Sequence, residues 1–143
     1  MREVRFGIDR KRYVLPVAIL RPGGPSDLEY FTATALLDTG ATVSGIGPRV
    51  IEGLNLQSYG KSRLKSATDE AFVAYYLFRL GLFTTEQVEM IGTQASDLPF
   101  LFDELNGFSW GRDADFDVIL GMDVLSQCDI AIKRDGICAI GFG

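Results

Sequence analysis

Apolar and polar residues alternate with a period of two along most of this chain, the spacing of strands that bury one face. Val4, Phe6 and Ile8 alternate with charged residues and Gly7, which predicts a first strand. Leu15, Val17 and Ile19 repeat the pattern, and Pro16 beside them points to an edge or strand-end position, since proline cannot donate to a ladder. The turn-rich segment Arg21-Pro22-Gly23-Gly24-Pro25-Ser26-Asp27 then predicts a long hairpin pairing Tyr13–Leu20 with Tyr30–Leu37. Pro48 to Leu54 suits one or two turns of helix, with proline tolerated in the first turn. Leu64 and Phe72–Leu82 mark two more strands around the polar segment Ser66-Ala67-Thr68-Asp69-Glu70. Gln87–Ile91 and Phe116–Leu120 read as short strands, and Met122–Gln127 as a short helix. Ile130–Ile132 and Ile137–Phe142 flank Lys133-Arg134-Asp135-Gly136, where Asp-Gly predicts a two-residue hairpin turn. Roughly eight or nine short strands with little helix place the chain among the packed or closed all-β folds. The stretch Gly92–Asp115 has no assignment, although Phe100, Phe102, Phe108 and Trp110 fall in it. A connection of that length is uncommon without structure of its own.

Composition narrows the picture. At 143 residues the chain is the size of one domain, 1–143, and its 47% hydrophobic and 23% charged residues are an ordinary globular balance. The longest apolar stretches, such as Val14–Leu20, are too short to span a bilayer, and no signal peptide is evident, so neither membrane insertion nor export is expected. The formal charge of −5 argues against a nucleic-acid partner, whose binding rests on phosphate neutralisation. The one dense basic cluster, Arg10-Lys11-Arg12, reads as a solvated turn.

The most restrictive count is zero histidines. Ser-His and Cys-His nucleophile pairs and His-ligated zinc sites are thereby excluded. Two cysteines, Cys128 and Cys138, are too few for a four-thiolate site or a disulfide framework. In the expected hairpin Cys138 pairs with Lys133, so both should be free thiols, as suits a cytoplasmic protein. No metal and no cofactor is called for. Chemistry must come from carboxylates, hydroxyls, lysines or backbone groups.

The sharpest local feature is Leu36-Leu37-Asp38-Thr39-Gly40-Ala41, an apolar strand ending in a carboxylate beside a glycine that frees the backbone to turn. Taken alone it would also fit an ordinary strand-to-turn junction. Further on, Asp117-Val118-Ile119-Leu120-Gly121-Met122-Asp123-Val124-Leu125 reads as a buried strand, a glycine and a short helix. Together the two segments resemble the retropepsin-like family, the single-domain aspartic proteases of retroviral type. That family carries Asp-Thr-Gly-Ala at the end of a strand after a long hairpin, and an apolar-apolar-Gly segment leading into a short helix. The interval from Asp38 to Gly121 is longer here, with 92–115 as the place for the extra residues. Viral members usually have arginine where this chain has Met122, so cellular and bacterial members are the nearer match.

The resemblance implies an all-β, closed acid-protease barrel with one short helix after the second apolar-Gly motif. It implies Asp38 as the catalytic carboxylate, Thr39 as a cross-subunit hydrogen-bonding residue and Gly40 as the point of close backbone approach. Ala41 would line the substrate, Ile119, Leu120 and Gly121 would support the catalytic loop, and Ala67, Thr68 and Asp69 would form a flap over the substrate. A plain surface hairpin tip is the alternative for those three residues, whose segment lacks the glycines of viral flaps. Phe72, Tyr75 and Tyr76 could shape pockets, although strand aromatics usually serve as core or cross-strand partners.

Peptide hydrolysis without histidine or metal needs one carboxylate to accept a proton from water while a carboxylic acid polarises the scissile carbonyl. No other aspartate in the chain sits in an Asp-Thr-Gly or Asp-Ser-Gly, so the second carboxylate must come from another copy. The expected partners are therefore an identical chain and a polypeptide substrate. A catalytically idle dimeric scaffold on the same fold is the main alternative. Asp38-x-Gly40-x-Thr42 also resembles the phosphate loop of actin-like kinases and ATPases, but such folds need two α/β lobes and far more chain. Gly45-Ile46-Gly47 starts like a dinucleotide fingerprint and fails at Val50. Asp103-Glu104 reads as solvated acids on a loop, and Asp123 as a cap for the short helix.

Overall fold

A computed structural model of the chain describes residues 1–65, 70–91, 98–110 and 114–143. In chain order its elements are β1 (Arg2–Gly7), β2 (Val14–Leu20), β3 (Tyr30–Leu37), β4 (Gly45–Ile46), α1 (Pro48–Leu54), β5 (Gly60–Lys65), β6 (Glu70–Leu82), α2 (Thr85–Glu89), β7 (Phe100–Leu101), β8 (Leu105–Ser109), β9 (Val118–Leu120), α3 (Met122–Leu125), β10 (Asp129–Ile132) and β11 (Ile137–Phe142).

The expected hairpin forms: β2 and β3 run antiparallel from Val14 opposite Leu36 to Leu20 opposite Tyr30. The other edge of β2 pairs with β6 only from Val17 to Leu20. Pro16 therefore lies where β2 has a single neighbour, and its missing N–H costs no ladder bond there. The order β2-β3-β9-β4-β8-β6 returns through β6 to β2, closing a six-stranded barrel. Its joints β3–β9 and β4–β8 are parallel, whereas β2–β3, β4–β9, β6–β8 and β2–β6 are antiparallel. The fold is the all-β closed barrel the sequence implied.

Outside the barrel, β5 pairs antiparallel with β6, and β7 pairs with Gly81 and Leu82 of β6. A second sheet has the order β1-β11-β10. Its inward residues Val4, Cys138, Ile140 and Phe142 share one core with Val17, Ile19, Phe78, Leu80 and Leu120 of the barrel. The alternation read from sequence marks the core-facing Val4, Leu15, Val17 and Ile19, whereas β2, flanked by β3 and β6 from Val17 to Leu20, buries Ala18 and Leu20 as well.

A buried arginine finishes the long hairpin. Arg79 of β6 donates Nε to the carbonyl of Arg21 at 2.7 Å and Nη2 to that of Asp27 at 2.5 Å, gripping both ends of the β2–β3 turn. Arg10 and Lys11 occupy a tight turn at φ 49° and 63°, flanked by mutual Asp9–Arg12 backbone bonds of 2.8 and 3.0 Å. Arg12 there pairs with Asp115, so the basic cluster is a turn as expected but is partly neutralised.

Two expectations are corrected and one unassigned stretch gains structure. Gln87–Ile91 is not a strand; the segment is the helix α2, Thr85–Glu89. The Thr84 side chain accepts from the Gln87 N–H while the Gln87 side chain accepts from the Thr84 N–H, a capping box that overrides the weak alternation. The β10–β11 turn is one residue longer than predicted: Lys133 and Ile137 bond backbone to backbone, Ile132 faces Cys138, and Gly136 sits at φ +89°. The thiol conclusion survives the shift, because Cys128 and Cys138 are both free. The unassigned 92–115 stretch contributes β7 and β8, and β8 is a barrel strand. No helix among the described residues is long and apolar enough to cross a membrane.

Candidate active site

Asp38 is the first residue past β3, and its position is set from both sides. Leu36 and Leu37 pair in parallel with Ile119 and Leu120 of β9, and the Asp38 N–H continues the ladder to the Leu120 carbonyl at 3.0 Å. The chain then folds back on itself, with the Ala41 N–H donating to the Asp38 carbonyl at 3.2 Å and the Gly40 N–H to Asp38 Oδ1 at 2.9 Å. The carboxylate is thus aimed by its own loop. Asp38 is half-buried, whereas Thr39 and Gly40 are exposed. Gly40 does not use the left-handed region that glycine favours. What it offers is proximity: a Cβ there would lie 3.3 Å from Asp38 Oδ1, tight enough to press on the carboxylate.

The second motif grips this loop from beneath. The Met122 N–H donates to the Ala41 carbonyl at 2.8 Å, and the Asp123 N–H to that of Thr42 at 3.2 Å. Gly121 lies so close that a Cβ would stand 2.7 Å from the Val43 carbonyl carbon, 2.8 Å from its oxygen and 3.0 Å from the Ala41 oxygen. Ser44, fully buried, donates its hydroxyl to Asp123 Oδ1 at 2.6 Å and its N–H to Oδ2 at 2.8 Å, while the Gly121 N–H donates to Ser44 Oγ at 3.0 Å. Segments more than 70 residues apart in sequence are thus joined at Ala41, Thr42 and Ser44 on one side and at Gly121, Met122 and Asp123 on the other.

Asp123 is therefore not the helix cap expected of it. Gly121 is the N-cap and no side chain caps α3, although the Val124 N–H does reach Asp123 Oδ1 at 2.9 Å. The carboxylate's main partners lie across the loop at Ser44. Asp117 is also more than a flanking acid: it is buried, its Oδ2 accepts from the Thr34 N–H at 3.1 Å, and its Oδ1 accepts from Arg49 at 3.0 Å. It ties the start of β9 to β3 and to α1. Sequence reading missed Ser44 because a lone serine carries no local signal and its partners are distant in the chain.

Of the sequence-predicted site residues, Asp38, Thr39, Gly40, Ala41, Ile119, Leu120 and Gly121 come together. Ala67, Thr68 and Asp69 lie outside the described residues, as does the Phe72 side chain. Tyr75 faces Phe108 and Gly60 across its neighbouring strands, and Tyr76 packs on the core, so both follow the cross-strand and core reading. Asp103 and Glu104 are exposed, as expected for solvated acids. Gly45 and Ile46 of the failed fingerprint form β4. Among the described residues, no group of three or more His, Cys, Asp or Glu is arranged to hold a metal ion.

A barrel of this fold is found in solved structures. A retropepsin-like aspartic protease from Rickettsia conorii superposes over 98% of this chain and 90% of its own, with a TM-score of 0.62 at 15% identity. At that identity the likeness is one of fold, and it accords with the nearer match to bacterial members. The retroviral protease-like domain of Ddi1 from Leishmania major aligns over 85% of this chain and 82% of its own at 16% identity, with a TM-score of 0.43, too low to weigh. No curated protein matches the sequence. The model of a family described as aspartyl protease does match, over residues 23–124, a span that holds β3, the Asp38 loop and the Gly121 turn. On that match the chain belongs to the aspartyl protease family.

Proposed function

We propose that this chain is one half of a homodimeric aspartic endopeptidase, with Asp38 of each copy forming the catalytic pair. The observation that carries the proposal is the Asp38 loop: a single carboxylate, half-exposed, held at the end of a barrel strand by Leu120 on one side and Gly40 on the other. With no second Asp-Thr-Gly in the sequence, a symmetric dimer is the simplest way to supply the partner carboxylate. Two carboxyls at such short range cannot both ionise cheaply, so they share one proton and titrate as a pair, aspartic proteases being the familiar case. The ionised member takes a proton from water as that water attacks the scissile carbonyl carbon, and the protonated member donates to the carbonyl oxygen. No covalent intermediate, metal or cofactor is invoked.

In this reading Thr39, exposed at the loop tip, bonds across the two-fold axis, and Gly40 allows the two loops to approach. Ala41 lines the floor beneath an extended polypeptide, and the flap role is assigned to Ala67, Thr68 and Asp69. Ile119, Leu120 and Gly121 support the loop from below. Net negative charge disfavours nucleic acid as a partner, and the free thiols suit a reducing, cytoplasmic setting.

Two measurements test the proposal together. Sedimentation at micromolar concentration should give a species near twice the 15.7 kDa chain mass. Digestion of a peptide library from acidic to neutral pH should show cleavage by the wild type and none by Asp38→Asn, with fold and dimer intact. A strictly monomeric species, or persistent cleavage by the variant, would overturn the assignment. A dimeric wild type that cuts nothing would favour the idle scaffold.

A further inference from the structure

We infer that Asp123, acting through Ser44, is a positioning residue for the Asp38 carboxylate, an inference that rests on the catalytic role proposed for Asp38. Asp123 receives three hydrogen bonds and all three come from donors: the Ser44 N–H at 2.8 Å, the Ser44 hydroxyl at 2.6 Å and the Val124 N–H at 2.9 Å. Both carboxyl oxygens are used as acceptors, Oδ1 twice and Oδ2 once, so the side chain must offer acceptor lone pairs on each of its two ends. An asparagine would have to turn its NH2 toward one of these N–H groups.

Ser44 relays the constraint. Its hydroxyl hydrogen is committed to Asp123, which fixes the lone pair that accepts the Gly121 N–H at 3.0 Å. Gly121 follows Leu120, whose carbonyl holds the Asp38 N–H at 3.0 Å. The same segment holds the middle of the loop through the Ala41 and Thr42 carbonyls. Both ends of the 38–44 loop are thereby locked to one short stretch, 120–123, and the Ser44 end of the lock is held by the two oxygens of the Asp123 carboxyl. Thr39 and Gly40 at the tip are exposed, so their placement is inherited from these ends rather than from packing. A shared-proton pair is sensitive to sub-ångström placement, which makes loop rigidity a rate-determining property.

The test compares Asp123→Asn, Ser44→Ala, their double variant and Ser44→Thr, each checked by circular dichroism and sedimentation. The expected result is a fall in kcat of about 10²-fold for either single variant with KM unchanged, the cost of slight misplacement of a reacting group. The double variant should fall no further than the worse single one, and Ser44→Thr, which keeps the hydroxyl, should recover most of the loss. A kcat that merely tracks the folded fraction, losses that multiply in the double variant, or a loss confined to KM would overturn the inference. Amide hydrogen exchange decides the matter without reference to activity. Exchange at Asp38, Gly40 and Gly121 should quicken in Asp123→Asn or Ser44→Ala while Ala18–Leu20 of the distal β2–β3 ladder stays unchanged. Unaltered exchange at the loop would sink the positioning role, whereas a wild type that cleaves nothing would sink the protease assignment alone.

Discussion

Replacing Gly121 by alanine probes the contact between the two halves of the candidate site. Gly121 has an ordinary extended backbone, φ −98° and ψ −176°, so alanine meets no conformational penalty there. What it meets is main chain: the new Cβ would stand 2.7 and 2.8 Å from the Val43 carbonyl and 3.0 Å from the Ala41 oxygen. Backbone atoms cannot rotate away as a side-chain tip can, so the 41–43 loop must lift off the β9–α3 turn. Overpacking of this kind costs about 1–3 kcal/mol. An unfolding entropy of about 2.1 cal/mol/K per residue gives about 0.3 kcal/mol/K for 143 residues. The expected fall in Tm is then about 3–10 °C by calorimetry, read at matched protein concentration because the proposed dimerisation would shift Tm. Gly24→Ala is the control, since nothing lies within 4 Å of a Cβ placed there and its φ is unexceptional. It should be neutral or slightly stabilising. If Gly121→Ala melts with the control, the loop and turn are not in the tight contact described, and their proposed support of Asp38 falls with it.

Two further predictions concern ionisation. Burial, helped by the charge of Asp129, pushes the Cys128 thiol up to about 11, and burial raises Cys138 as well. A folded-state pKa above the ordinary 9.0 means stability that is complete below that value and is lost as pH rises towards about 11. Both thiols should therefore resist alkylation near pH 8 until the protein unfolds, and rapid native-state labelling would contradict this. The bidentate bond from Arg12, aided by the Arg10 charge, holds the exposed Asp115 carboxyl below its ordinary value. The pair favours folding above the ordinary carboxylate pKa and loses that effect as pH falls through the lowered one, weakly because salt and water screen it. The Asp115 titration midpoint, followed by NMR, should rise in Arg12→Gln or in strong salt; an unmoved midpoint would show that the contact does not persist in solution.

Much of the barrel was legible because strands that bury one face must alternate. The long hairpin, the Pro48 helix and the two motifs could all be placed from local pattern and turn chemistry. What escaped was structure whose cause is not local. β4 is two residues long and owes its strand geometry to β8 and β9 on either side. In β8, Asn106 and Gly107 interrupt the apolar pattern, and Gly107 is buried because the Phe78 ring and the Ser44 carbonyl fill the space a side chain would need. α2 had a readable signature after all, Thr84-Thr85-Glu86-Gln87, which outweighed a weak alternation. In the site itself, Asp38 and Gly121 stand out by motif, whereas Ser44 and Asp123 acquire meaning only when 79 positions of separation close to a hydrogen bond.

The grip of Arg79 on the carbonyls of Arg21 and Asp27 uncouples the length of the intervening loop from the barrel. With both stems pinned from inside, Pro22–Ser26 is an engineering handle: extra residues inserted at Gly23-Gly24 would spool outward into solvent. Doubling the loop should cost only about 0.6 kcal/mol of closure entropy. A fluorophore, an affinity tag or a tether to a second copy could be grafted there without redesigning the scaffold beneath.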